Sequence, residues 1–315
     1  MKKLRTIDLY AGVGGIRIGF ERAGFSTIFA NDFEKNCKIT YDLNFKDVLL
    51  DTRDIGEIKP VLLPNFDFLL GGFPCQPFSI AGYRKGFEDT ARGHQFFNII
   101  KILREKKPMG FLLENVKNLS GHDGGKTFKI IEDSLKSIGY HIKSKVMSTM
   151  EYGNIPQNRE RIYIVGFKNK KFTDKFEFPE PKKLQKTILD LLEDPKLIDK
   201  KYYYNDKPLF AQLKKYSFKK GVVYQWRRHY IRENKSGVCP TLTANMGTGG
   251  HNVPLVIDSN GVRKLTPREC ARFQGFPDSY KLPKISDSHL YKQFGNSVSI
   301  PVIEAVAKQM IKAME

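Results

Sequence analysis

Cysteines are few, there is a single tryptophan, and no long apolar run occurs; each shortage removes a class of protein. The 315 residues include four cysteines, Cys37, Cys75, Cys239 and Cys270, with no Cys-x-x-Cys pair and no matching histidine spacing. Structural zinc and a disulfide framework are not indicated, and no metal is expected. With no stretch of about 18 uncharged apolar residues, no membrane-spanning helix is expected. The basic start runs straight into a strand and lacks a secretory apolar segment. A cytoplasmic, reducing compartment is the expectation. Acidic residues are also in deficit, with 34 Asp and Glu against 53 Lys and Arg, a net charge of +19. An excess of that size points to a polyanionic partner.

What is present is first a rhythm. Thr6–Tyr10, Ser26–Ala30, Phe66–Leu70 and Gly110–Leu113 read as strands, each followed by a turn and a helical stretch. Ile162–Phe167 reads as a further buried strand and Val146–Met150 as a candidate one. This alternation predicts an α/β fold with a parallel sheet and crossover helices. After Phe167 the chain becomes Lys-rich, interrupted by Pro179, Pro181 and Pro195. Around Tyr224–Asn252 it is basic, aromatic and Gly-rich. This stretch reads as a second, smaller lobe, irregular with short strands. From Thr266 the alternation returns, with a helix Pro267–Phe273 and a last helix from about Ile300. The expected division is 1–167 with 263–315 as one domain and 168–262 as the lobe, the last helix packing back onto the first domain.

Four short motifs carry chemistry. Asp8–Gly15, DLYAGVGG, leaves a strand and opens a helix, and its glycines allow a tight turn close to a ligand. Asp32 follows the next strand, where an acidic side chain accepts bonds from ribose hydroxyls. A nicotinamide oxidoreductase would carry GxGxxG, but Arg17 stands at the third glycine position. A methyl-donor nucleoside, with no pyrophosphate to cradle, fits better. Asp54 reads equally as a partner for an adenine amino group or as a helix N-cap. Gly71–Ser79, GGFPCQPFS, sets Cys75 in a stiff loop at the carboxyl end of a strand, where open α/β sheets place their sites. Glu114-Asn115-Val116 follows another strand and adds a carboxyl to the same crevice. A thiolate adding to C6 of cytosine turns C5 into a nucleophile, and a carboxyl at N3 stabilises the charge arriving on the ring. Arg159 and Arg161, in QNRER, alternate onto one face and offer planar donors for phosphate or a pyrimidine carbonyl.

DLYAGVGG, GGFPCQPFS, ENV, QNRER, LTPRECARFQGFPDS and YKQFGNSVSIP, in this order, resemble the C5-specific cytosine DNA methyltransferases. The resemblance covers Leu4–Phe167 and Leu265–Met314, and within the lobe only Pro240-Thr241-Leu242-Thr243. It implies a Rossmann-like S-adenosylmethionine-dependent sheet with a target-recognition lobe, and S-adenosylhomocysteine as product. Carried onto matching positions, it implies Tyr10, Gly12, Gly14 and Gly15 at the donor site, Asp32 on the ribose, and Asp54 with Ile55 at the adenine. Asn296 and Ser297 would close the same pocket. Cys75 would be the nucleophile, Glu114 the N3 partner and Arg161 a contact to the cytosine carbonyl, with Arg159 holding the flipped nucleotide. Thr241 would brace the target's phosphate. The chain departs from the usual pattern at Tyr10, where Phe is common, at Asp32, where Glu is common, and at Gln95, where Leu is frequent.

A cytosine in a duplex must be extruded before attack. Arg84, Lys85 and Arg92, in a Gly-containing loop, are candidate phosphate clamps, and Arg227, Arg228 and Arg232 are candidate DNA contacts in the lobe. Tyr202–Tyr204 and Trp226 read as packing. The compact length looks like the enzymes of bacterial type II restriction–modification systems. The expected partners are double-stranded DNA and, genetically, a cognate restriction endonuclease; a monomer is expected. A tRNA cytosine methyltransferase is the runner-up, weighed down by the sizeable lobe and by the form of FPCQPFS. A non-catalytic DNA-binding relative would not need Cys75, Glu114, Arg159 and Arg161 together.

Overall fold

A computed structural model describes residues 3–74, 95–234, 236–247 and 251–315, with the His251 side chain excepted. Cys75, Arg84, Lys85 and Arg92 lie outside the described residues. The chain divides into two compact units, one of Met1–Met147, Glu160–Pro179 and Ile303–Glu315, the other of Ser148–Arg159 and Glu180–Val302. Among the described residues no helix is long and apolar enough to cross a membrane.

The first unit is built on a six-stranded sheet. Its strands are β1 (Arg5–Leu9), β2 (Ser26–Asn31), β3 (Phe68–Gly71), β4 (Gly110–Val116), β5 (His141–Ser148) and, after a two-residue β6 (Gln157–Asn158) in the other unit, β7 (Glu160–Phe167). The order is β2-β1-β3-β4-β7-β5. Strands β1 to β4 pair in parallel, as the alternation predicts, whereas β4 and β7 are antiparallel. The strand expected over Val146–Met150 is the end of β5, and Thr149 and Met150 already belong to a helical turn, Thr149–Tyr152.

Helices α1 (Gly15–Arg22), α2 (Lys35–Asn44), α3 (Gln95–Lys106) and α4 (Lys126–Ser137) connect the strands. In α3 the apolar positions Phe96, Ile99, Ile100 and Leu103 fall on one stripe, and that periodicity turns them inward. They meet Ile7 and Leu9 of β1, Leu69 of β3, Phe111 and Leu113 of β4, and Ile131 and Leu135 of α4 in one core. The last helix packs back as expected: a Cβ on Gly19 would come within 2.5 Å of Ile303, and Arg22 lies 3.8 Å from Glu304.

The second unit is more regular than its composition suggests. Strands β8 (Tyr224–Arg227), β9 (Tyr230–Glu233), β11 (His251–Asp258) and β12 (Gly261–Lys264) form an antiparallel sheet in the order β12-β11-β8-β9. Its apolar face gathers Leu213, Tyr224, Trp226, Ile231, Val253, Leu255 and Val262. Trp226, Tyr202 and Tyr203 are buried, as the packing reading requires. Helix α5 (Pro267–Phe273) starts at a capping box, with Thr266 and Glu269 bonding each other's backbone N–H, which satisfies two of its free donors. Helix α6 (Asp287–Asn296) follows, and the first turn of α7 (Ile300–Met314) ends the unit.

This unit is larger than the lobe drawn from the sequence. It also takes in Ser148–Arg159 and the segment from 263 to 302. The reason is hydrogen bonding: β6 pairs with β10 (Cys239–Pro240), and the Gln157 amide donates to Phe273 O at 2.7 Å and accepts from Leu242 N at 3.1 Å.

Candidate active site and donor pocket

The site of the first unit follows from strand register. Leu9 pairs with Gly71, and Gly71 with Leu113. One residue beyond this rung, three adjacent parallel strands present Tyr10, Gly72 and Glu114. Strand order reverses here, because β2 lies on one side of β1 and β3 on the other, and such a switch point opens a crevice at the carboxyl ends.

The glycine loop lines one side. Tyr10, Gly12 and Gly14 take φ of +56°, +54° and +80°, the left-handed region that suits glycine and strains tyrosine. A Cβ on Gly12 would meet nothing within 4 Å, so its surface is open to a ligand. Gly14, the N-cap of α1, is closed in: a Cβ there would reach 2.4 Å from Phe45. Asp32 accepts from Gly12 N at 2.8 Å and from Glu34 N at 2.9 Å, so the acid expected on a ribose also fixes the loop. Next to it the Phe33 ring is 64 % exposed, an aromatic face whose only sequence signal was its place beside Asp32.

Asp54 caps a short helical turn, Ile55–Glu57, accepting from Gly56 N at 2.7 Å. Of the two readings left open for it, the cap is therefore present. The Ile55 side chain is buried in the sheet core. The Tyr10 hydroxyl lies 2.8 Å from the Gln95 carbonyl oxygen and 3.0 Å from Gln95 Oε1. Two of the chain's departures from the usual pattern are thus bonded to each other.

Glu114 lies inside β4 rather than after it, because the strand runs on to Val116. Its nearly buried carboxyl stands 3.2 Å (Oε1) from Arg161 Nε, on antiparallel β7. A Cβ on Gly72 would sit 3.6 Å from Glu114 Oε2, so the loop toward Cys75 passes close over the carboxyl. Asn115 holds that loop, its Nδ2 donating to Phe73 O at 2.9 Å. The sequence displayed Asn115 within ENV, but without a role.

Asp8 was not anticipated at all. It is wholly buried at the end of β1, and among the described residues neither oxygen has a partner with normal hydrogen-bond geometry. Burial pushes its carboxyl up to about 8, and the nearby Arg17 N–H and guanidinium offset this only in part. Arg17 itself is buried, bonded to Glu21, Tyr41 and Asp47. The position that excluded a dinucleotide motif is a structural hub beneath the glycine loop.

The second unit holds the remaining candidates. Arg159 is 2 % exposed. Its guanidinium donates to the carbonyls of Leu242 (2.9 Å), Gly295 (3.2 Å) and Ser297. It is a staple between two chain segments, and the alternation that set Arg159 and Arg161 on one face does not hold, since Arg159 lies between β6 and β7 and is turned inward. The stapled segments touch so closely that a Cβ on Gly295 would come within 2.3 Å of the Thr243 backbone. Asn296 is exposed at the end of α6, and Ser297 is at the edge of burial. The Thr241 hydroxyl donates to Asn158 O at 2.5 Å, so its proton is already engaged. Arg228 and Arg232 are exposed and Arg227 is half-buried.

Residues 4–312 match the sequence model of a family described as C-5 cytosine-specific DNA methylase. The chain is 54 % identical over 314 residues to the Type II methyltransferase M.Bsp6I of Bacillus sp. (strain RFL6), covering 99 % of each chain. It is 45 % identical to the Type II methyltransferase M.HaeII of Haemophilus aegyptius, over 100 % of this chain and 95 % of that one. In fold it is similar to the Entamoeba histolytica methyltransferase EhMeth, with a TM-score of 0.77, 18 % identity and full coverage of both chains.

Proposed function

Since the chain belongs to the C-5 cytosine-specific DNA methylase family, we propose that it transfers a methyl group from S-adenosylmethionine to C5 of one cytosine in a short duplex DNA site. We infer further that the mark protects host DNA from a partner restriction endonuclease, as the type II relatives' names suggest. The single observation that carries the reading is the rung Leu9–Gly71–Leu113, one residue beyond which Tyr10, Gly72 and Glu114 stand on adjacent strands.

The residues present fit the donor. The open Gly12 surface admits it, the remaining lone pairs of Asp32 suit the ribose hydroxyls, and the exposed Phe33 ring suits stacking on a purine. Asp54 can accept from an adenine amino group with the oxygen not used in its cap. When bound, the donor supplies an electrophilic methyl group on a sulfonium centre.

On the flipped cytosine, the Cys75 thiolate forms a bond to C6. The displaced electron pair shifts toward N3, to which the protonated Glu114 carboxyl donates a hydrogen bond, and Arg161 donates to the ring carbonyl. Arg161 also keeps the Glu114 carboxyl in place. C5 then takes the methyl group. A water molecule takes the C5 proton, the C–H electron pair re-forms the C5=C6 bond, and the Cys75 thiolate leaves C6, which frees the enzyme.

Methylation mapping of DNA from cells expressing the protein tests this. 5-Methylcytosine at one short sequence is expected, and none with Cys75→Ala. Methylation of tRNA with no mark on duplex DNA would sink the reading.

A further inference from the structure

The β8–β9 hairpin of the second unit presents two different faces. Alternation along the strands sends Tyr224, Trp226 and Ile231 into the core, so Gln225, Arg227, Tyr230 and Arg232 share the opposite face. Cross-strand pairing sets Gln225 opposite Arg232 and Arg227 opposite Tyr230, with Arg228 and His229 forming the turn. Tyr230 and Arg232 are exposed, and Gln225 is buried at 5 % exposure.

Within this face Arg227 is held in an unfinished state. Its Nη2 donates to Gln225 Oε1 at 3.2 Å, while its Nε is buried with no hydrogen-bond partner among the described residues. A buried glutamine directly beside a guanidinium restricts the fork to one orientation. The Nη end of this half-buried side chain, and not the buried Nε, is what an acceptor outside the chain can reach.

We propose that this face of the ribbon enters the major groove of the target and that Arg227, aimed by Gln225, reads a guanine there. The inference rests on the DNA-methylating function proposed above. A two-stranded ribbon fits the major groove, and guanine is the base that offers two adjacent acceptors, O6 and N7, to an arginine fork. Gln225 is a positioning residue in this scheme, and Arg227 is the reader. Arg228, exposed at the turn, faces phosphate rather than base.

The test is methylation by the full-length protein of a duplex library with every position of the target varied, alongside donor affinity by calorimetry. Arg227→Ala should lose about 10- to 100-fold discrimination at one G·C pair, the range that one such base contact carries. Arg227→Lys, which keeps charge and bulk but not the fork, should lose discrimination at the same pair. Gln225→Leu should relax that pair too, whereas Gln225→Glu, which retains the acceptor, should preserve it. A merely structural Gln225 would slow all sequences alike and show no rescue by Glu. Relaxation of different base pairs by the two positions, an even loss over all sequences, or a pair without guanine overturns the proposal. A wild-type protein that methylates no duplex would instead overturn the parent function.

Discussion

Glu114 with Arg161 in the first unit and two arginines of the second treat buried charge in opposite ways. In the first, Glu114 of β4 and Arg161 of β7 form a nearly buried ion pair near the strand ends. In the second, Arg263 is fully buried and bonded to Glu269 at 2.8 Å and to Asp258 at 2.5 Å, joining β12 to α5. Arg159, likewise, has three carbonyl acceptors around its guanidinium. Arg159 and Arg161 are two residues apart, yet one donates to three backbone carbonyls and the other pairs with the Glu114 carboxyl. The difference teaches that charge near a functional motif is chemical only where its remaining valences face a ligand.

The largest expected effect tests the first half of that contrast. Glu114→Gln keeps an acceptor for Arg161, so the fold should survive with an unchanged melting temperature. The rate of methyl transfer should fall about 10²- to 10⁴-fold, the range for a lost group that stabilises transition-state charge. A variant within threefold of the wild-type rate would remove Glu114 from the reaction.

Arg159→Ala tests the other half. It leaves three buried carbonyls short of a donor, each costing about 1–3 kcal/mol, so a loss of about 3 kcal/mol or more is expected in urea unfolding. Full stability combined with lost DNA binding would return Arg159 to the ligand-contacting role.

A pH-dependent effect is expected at Asp8. Its carboxyl is raised to about 8 by burial, so the folded state binds a proton that the unfolded state releases above about 4. The stability this proton confers is complete below pH ~4 and declines by about 1.4 kcal/mol per pH unit up to about 8. Asp8→Asn should abolish that slope in a series of unfolding curves from pH 5 to 8. An unchanged slope would show that Asp8 is ionised in the folded protein.

The smallest effect concerns Tyr10 and Gln95, the two bonded departures. A double-mutant cycle with Tyr10→Phe and Gln95→Leu should give a coupling of about 0.5–1.5 kcal/mol in stability. Additive single effects would mean that the contact to Gln95 Oε1 contributes nothing, since the bond to the Gln95 backbone carbonyl survives Gln95→Leu.

Much of this was legible in the sequence, for a local reason. Strand alternation, glycine at left-handed positions, and a proline-started helix behind Thr266 are properties of a few neighbouring residues. Hence Ser26–Asn31, Pro267–Phe273 and Ile300–Met314 lie where expected. The lobe was harder: its strands are short and bounded by basic and aromatic residues, and they become a sheet only by pairing β11 with both β8 and β12.

The sequence by itself determined the family, the order of the motifs and the side chains available for the reaction, because these reside in residue identity and local spacing. Only the tertiary structure decided which of them face a ligand. Arg159 is a staple because its acceptors lie 83, 136 and 138 residues away. Asp8 holds its proton because helix and sheet close over it. The unit boundary falls between Arg159 and Glu160 because β6 pairs with a strand in the second unit while β7 pairs with β4. Burial and hydrogen-bond partners are set by groups distant in the chain, and no local pattern encodes them.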